Sequence, residues 1–153
     1  MDCIEKLMAE YPDLNYSFRY DMPDKLSGLT INNNIYINGN NTYTTQVEVL
    51  AEELGHYETS VGNVIDEDPI LHNKQEREAR DWGYRKLVSP DGLIACWENG
   101  IDNIYDVADF FEVSVPYLLE CINMYRRKFG IQFDFCNYHF DLSNGVRISK
   151  FDQ

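Results

Sequence analysis

Within residues 47 to 57, Val-Glu-Val-Leu-Ala-Glu-Glu-Leu-Gly-His-Tyr, three titratable side chains fall inside little more than one helical turn: Glu52, Glu53 and His56. On a helix, Glu52 and His56 lie one turn apart and point the same way, while Glu53 sits beside them. The frame differs by one letter from H-E-x-x-H, in which two histidines four apart hold zinc and the glutamate between them takes a proton from water. Here a glutamate stands where the first imidazole of that pattern would be. The exchange leaves the spacing intact and changes the charge, so a third ligand from another element decides whether a site can exist.

The rest of the composition narrows the setting. A chain of 153 residues fits a single domain, 1–153, long enough to bury a real core. A hydrophobic fraction of 44% with eleven tyrosines excludes disorder, and no apolar run approaches the roughly 18 residues of a membrane span. The start, Met1-Asp2-Cys3-Ile4-Glu5-Lys6, shows no basic stretch followed by an apolar core, so a cytoplasmic protein is expected. Cys3, Cys96, Cys121 and Cys136 are scattered without a C-x-x-C pair, and buried free thiols are the plain reading. A net charge of −13 opposes direct nucleic-acid binding, which needs a basic face. Partners are therefore expected to be proteins, and an acidic surface of this kind could also imitate DNA.

Read along its length, the chain predicts an α+β fold, mainly helical. Ile4, Leu7 and Met8 have helical spacing before Pro12. Residues 26 to 38 place β-branched and aromatic residues on either side of an asparagine run, the pattern of a β-hairpin. Thr45 and Glu48 are spaced as a capping box for a motif helix over about 45–58. Polar, turn-rich sequence from Val61 to Pro69 predicts a loop, after which Lys74 to Val88 reads as a second helix with Ala79, Trp82 and Tyr84 or Leu87 towards the core. Helices are expected over 91–98, 102–111 and 114–128. The terminal segment 131–153 carries Phe133, Phe135, Tyr138 and Phe140 and a turn at Ser143-Asn144-Gly145, which allows a last hairpin.

The second helix offers the missing ligand. Glu76 lies twenty residues after His56, enough for a loop and a returning helix, and Glu78 follows two positions later.

With these residues in place the chain resembles the ImmA/IrrE-type metallopeptidases of phages and mobile elements. The likeness covers the hairpin, the Leu50-Ala51-Glu52-Glu53-Leu54-Gly55-His56-Tyr57 helix, the Lys74-Gln75-Glu76-Arg77-Glu78-Ala79-Arg80-Asp81-Trp82 helix and the helices after it, roughly residues 26 to 128. The resemblance implies a small thermolysin-like zincin core over about 26–90, followed by a helical subregion over 91–130. It also implies a metallo-endopeptidase that cuts or inactivates a helix-turn-helix repressor, with His56 as metal ligand, Glu53 as general base and a glutamate of the second helix as third ligand. Glu76, three residues before Ala79, is the preferred one and Glu78 the reserve.

Glu52 departs from the family pattern. Carboxylates bind zinc at about 2.0–2.2 Å, so a ligand set of Glu52, His56 and Glu76 is chemically sound. It carries one more negative charge than two histidines and a glutamate. That extra charge weakens the ion's pull on water, and the harder oxygen donors make manganese or another divalent ion more competitive with zinc. Low metal occupancy and slow hydrolysis follow as expectations.

Each feature also has a plainer interpretation. Surface helices often carry Glu-Glu pairs, and Glu76 and Glu78 beside Arg77 and Arg80 suit a solvated helix face. His72, read as a loop residue, and His139 fit ordinary surface histidines, while Tyr57 is a candidate for the cleft wall. The stretch from Ile104 to Leu118 reads as helix-turn-helix, with Ala108 in its first helix and Val113-Ser114 at the turn. Asp102, Asp106, Asp109, Glu112 and Glu120 surround it, so it is expected to pack or dock a partner without touching DNA. The leading expectation is a metal-dependent endopeptidase acting on a protein such as a repressor. The alternative is a metal-free pseudo-protease of the same shape, used as an acidic protein-binding module or a DNA-mimic inhibitor.

Overall fold

The computed structural model describes residues 1–59 and 68–151. They form an α+β fold of six helices and two three-stranded sheets, divided into two compact units, Met1–Leu87 and Val88–Gln153.

In the first unit the chain opens with α1 (Cys3–Glu10), capped by the Asp2 side chain, which accepts from the Glu5 amide at 2.8 Å. The expected hairpin is present as β2 (Gly28–Ile31) and β3 (Asn34–Asn38), paired antiparallel, with Asn32 at φ 53 in the turn. A strand that local pattern did not announce joins them: β1 (Asn15–Arg19) pairs parallel to β3, giving the order β1-β3-β2. Its partner lies beyond β2 in sequence, so the pairing is stabilised by non-local contacts that no short window of sequence contains. Ile35 and Ile37, two apart on β3, are fully buried, as are Val47, Leu50, Ala51 and Leu54 on the helix that follows. Burying each of the larger side chains contributes about 1.5–3 kcal/mol, which fixes the helix against the sheet.

That helix, α2 (Tyr43–Thr59), starts two residues earlier than the sequence predicts. Thr45 is not its cap. The Gln46 amide donates to the Thr42 carbonyl at 2.9 Å and the Thr45 amide to Thr42 Oγ1 at 3.4 Å, so Thr42 occupies the capping position. The loop expected from Val61 lies, up to residue 67, outside the described residues. Next comes α3 (Pro69–Leu87), which also begins earlier than expected: Pro69 suits a first helical turn and Asp68 Oδ1 accepts from the Ile70 amide at 2.9 Å. His72 is consequently helical, a correction to its reading as a loop residue. Ala79, Tyr84 and Leu87 are buried, and Trp82 is half-buried.

The second unit begins with α4 (Pro90–Glu98), α5 (Ile104–Phe111) and α6 (Val115–Phe129), each within two residues of its predicted span and capped by Ser89, Asn103 and Ser114 respectively. Glu112, at φ 59, makes the turn between α5 and α6. The terminal segment holds more than a hairpin: β4 (Gln132–Phe135), β5 (Tyr138–Asp141) and β6 (Arg147–Lys150) form an antiparallel sheet in that order. Phe133 and Phe140 stack at 4.9 Å between ring centres, and the buried Tyr125 donates to the Val88 carbonyl at 2.7 Å. Cys96 and Cys121 are buried as expected, whereas Cys3 is half-buried and Cys136 is exposed in the β4–β5 turn at φ 53. Among the described residues no helix is long and apolar enough to cross a membrane.

Candidate metal centre

The closeness of α2 and α3 comes from small residues. A Cβ on Gly55 would lie 2.2 Å from the Ala79 carbonyl oxygen, and one on Gly83 would lie 3.3 Å from the backbone of Ala51. A larger side chain at Gly55 would therefore hold the helices apart. At 3.6 residues per turn, His72, Glu76, Ala79 and Gly83 share the α3 face that meets α2. Glu78, two residues from Glu76, is rotated roughly 200° away.

The consequence is a cluster at the crossing. Glu52, His56 and Glu76 each offer a ligand atom, all within 4.8 Å of one another, and no other group of three or more such residues is found among the described residues. His56 Nε2 stands 3.5 Å from Glu76 Oε2. All three are half-buried. Glu78, the reserve ligand, is exposed and lies outside the cluster. One imidazole and two carboxylates, converging from two helices with their donor atoms facing a common point, fit a divalent cation. A second basic group stands beside them: Arg80, one turn beyond Glu76, places Nη2 3.6 Å from Glu52 Oε1.

Glu53 faces a different neighbour. One residue on from Glu52, it is rotated by about 100° towards β2, where the Thr30 hydroxyl donates to its Oε2. Gly28 leaves room for it, since a Cβ there would come within 3.2 Å of Glu53 Cγ and 2.5 Å of Val49 Cγ1. Burial raises the Glu53 pKa above its ordinary 4.5; the Thr30 hydrogen bond and the His56 charge oppose the rise, and Glu52 and Glu76 add to it. A carboxyl with its proton affinity increased in this way is suited to accepting a proton in general-base chemistry.

These groups line one cleft of about 690 Å³, walled by β2 on one side and by α2 and α3 on the other. Tyr57, the candidate wall residue, lines it, and so does His72, which the sequence reads as an ordinary surface histidine, while Lys25 and Gln75 contribute polar groups. Strand β2 lies at the edge of its sheet, and along it Leu29 and Ile31 are exposed. His139 belongs to the other unit, where it contacts Asp134 at 2.7 Å across the β4–β5 pair. Thr30, Gly28 and Arg80 were not legible as site residues in the sequence. The only signal for Thr30 was its place in the hairpin, alternating with Leu29 and Ile31.

A family model described as Peptidase_M78, the IrrE N-terminal-like domain, matches residues 7–120. No curated protein and no solved structure matches the chain.

Proposed function

We propose, from the premise that this chain belongs to the IrrE N-terminal-like family of peptidases, that it is a metal-dependent endopeptidase whose cation is held by Glu52, His56 and Glu76. The reading rests on the meeting of those three side chains in the same cleft as a Glu53 carboxyl braced by Thr30. A divalent cation bound there would supply Lewis acidity, polarising a peptide carbonyl and making water a better nucleophile. Glu53 accepts the proton from the attacking water on a carboxylate oxygen and delivers it to the departing amine. Thr30 holds the Glu53 carboxyl in one orientation for both transfers. The free edge of β2 offers backbone groups along which an extended peptide pairs, with the apolar Leu29 and Ile31 beside it.

A transcriptional repressor of the helix-turn-helix class is the proposed substrate, encountered in the cytoplasm. The resemblance to repressor-inactivating peptidases supports this, as does the net charge of −13, which favours basic protein partners over nucleic acid. The ion is zinc, or manganese favoured by the second carboxylate.

Metal analysis of protein purified without chelator tests the reading. Stoichiometric zinc or manganese, lost in His56→Ala, is the expected result, together with metal-dependent cleavage of a helix-turn-helix repressor. A correctly folded protein that takes up neither metal would replace the hydrolase with a binding module of the same shape.

A further inference from the structure

Glu52 sits where the H-E-x-x-H motif has a neutral imidazole, and a bare exchange would leave Glu52, Glu53 and Glu76 crowded around one histidine. Mutual repulsion among three carboxylates destabilises such a cluster before any cation arrives. The structure supplies a counter-charge at the altered position. Arg80 projects from α3 one turn after Glu76, on the side of α2 that carries Glu52, and its Nη2 lies 3.6 Å from Glu52 Oε1. A guanidinium stays charged at any pH the protein meets, and a carboxylate has a second oxygen left to offer when one faces the guanidinium.

We infer that Arg80 is a positioning residue that makes Glu52 an electrostatic substitute for histidine. Resting on the metallopeptidase reading above, the inference is that the Arg80–Glu52 pair is neutral as a unit, so that Glu52, His56, Glu76 and Arg80 together carry the single negative charge of a two-histidine, one-glutamate set. Arg80 touches neither the bound ion nor the peptide. It acts through Glu52, setting the charge that the ion and its water experience. Because the Arg80 side chain is 53% exposed, its influence is Coulombic and open to screening by salt.

The sign of its effect distinguishes this role from simple packing. Removing a positive charge from beside a cation site strengthens cation binding, whereas loss of a purely structural contact weakens it. Titration of the chelator-stripped full chain with manganese chloride or zinc chloride, followed by calorimetry, reads the difference. Arg80→Gln is expected to bind the cation about threefold to tenfold more tightly at low ionic strength, with the gap narrowing as salt is added. Arg80→Lys, which keeps the charge, is expected to stay within about twofold of the parent. Unchanged or weaker binding by Arg80→Gln overturns the inference, and so does Arg80→Lys behaving like Arg80→Gln.

A second measurement separates this inference from the reading beneath it. In chelator, Arg80→Gln is expected to melt below the parent, while adding Arg80→Gln to Glu52→Gln is expected to lower the melting temperature no further. If the parent takes up neither metal, the metallopeptidase reading fails and this cycle alone decides. A coupling between the two positions then upholds Arg80 as the counter-charge of Glu52, and independent effects reject it.

Discussion

Gly55 and the Ala79 carbonyl oxygen meet so closely that a single methyl group on Gly55 would lie 2.2 Å from that oxygen. The contact sets the separation of α2 and α3, and with it the 3.5 Å between His56 Nε2 and Glu76 Oε2. Gly55→Ala therefore sets two effects against each other. Alanine in a helix interior gains about 1 kcal/mol over glycine, while overpacking against backbone that cannot rotate away costs about 1–3 kcal/mol. The clash is expected to win. Thermal unfolding should show net destabilisation, and metal titration a loss of affinity of about tenfold or more as His56 and Glu76 separate. Gly83→Ala, with 3.3 Å available, is the control: a stability change below about 1 kcal/mol in either direction is expected. Equal behaviour of the two variants would show that the Gly55 contact does not govern the crossing.

Glu53→Gln keeps the shape of the side chain and removes its ability to accept a proton. Cleavage is expected to fall by about 10²–10⁴-fold with metal content unchanged. Parallel assays of peptide hydrolysis and metal content check this, and a variant retaining more than about a tenth of parental activity would remove Glu53 from the role of general base.

The same carboxyl predicts a pH effect on the metal-free protein. Its folded-state pKa lies above the ordinary 4.5, chiefly through burial. The sign follows from linkage: a carboxyl with a raised folded pKa contributes its stabilisation in full below the unfolded value and loses it as pH rises through the folded value. In chelator, Glu53→Gln should therefore gain stability relative to the parent as pH increases upward from about 4.5. Denaturant unfolding of both proteins across that range is the measurement, and a pH-independent difference would contradict the direction assigned to Glu53.

Thr30→Val deletes the hydroxyl that donates to Glu53 while keeping a β-branched side chain on the strand. The hydrogen bond lowers the Glu53 pKa, so its loss should move the acidic limb of the cleavage pH profile upward. A fall of about tenfold in kcat is expected, reflecting a base no longer held in one orientation, with metal affinity retained. An unaltered pH profile would show that the hydroxyl does not tune Glu53.

Glu52→His restores the imidazole pair of the common motif. Zinc affinity should rise by about tenfold or more because an imidazole nitrogen suits zinc better than a carboxylate oxygen and outweighs the lost negative charge, and cleavage near neutral pH should quicken because a less anionic ligand set leaves the ion a stronger Lewis acid. Competition of zinc against a chelating dye measures the first effect. No gain in zinc affinity would mean that the carboxylate at position 52 is not what limits the site.

Glu52, Glu53 and His56 share one helix, and their mutual placement follows from its 3.6-residue repeat, so the motif alone fixed their directions relative to one another. The α+β class and the spans of α4, α5 and α6 were legible for the same reason, since periodicity and capping residues act within a few positions. The family resemblance singled out a glutamate of the second helix but left Glu76 and Glu78 both in play. Tertiary packing separates the two: with Ala79 lodged against Gly55, the phase of α3 turns Glu76 towards His56 and leaves Glu78 in solvent. Packing also brought Thr30 to Glu53, Arg80 to Glu52 and β1 to β3, none of which a local pattern encodes. Local sequence sets which side chains one helix offers, because a helix repeats by local geometry. Which of them meet partners from other elements was decided only in the folded chain, where the closest approach of two backbones sets every distance across the cleft.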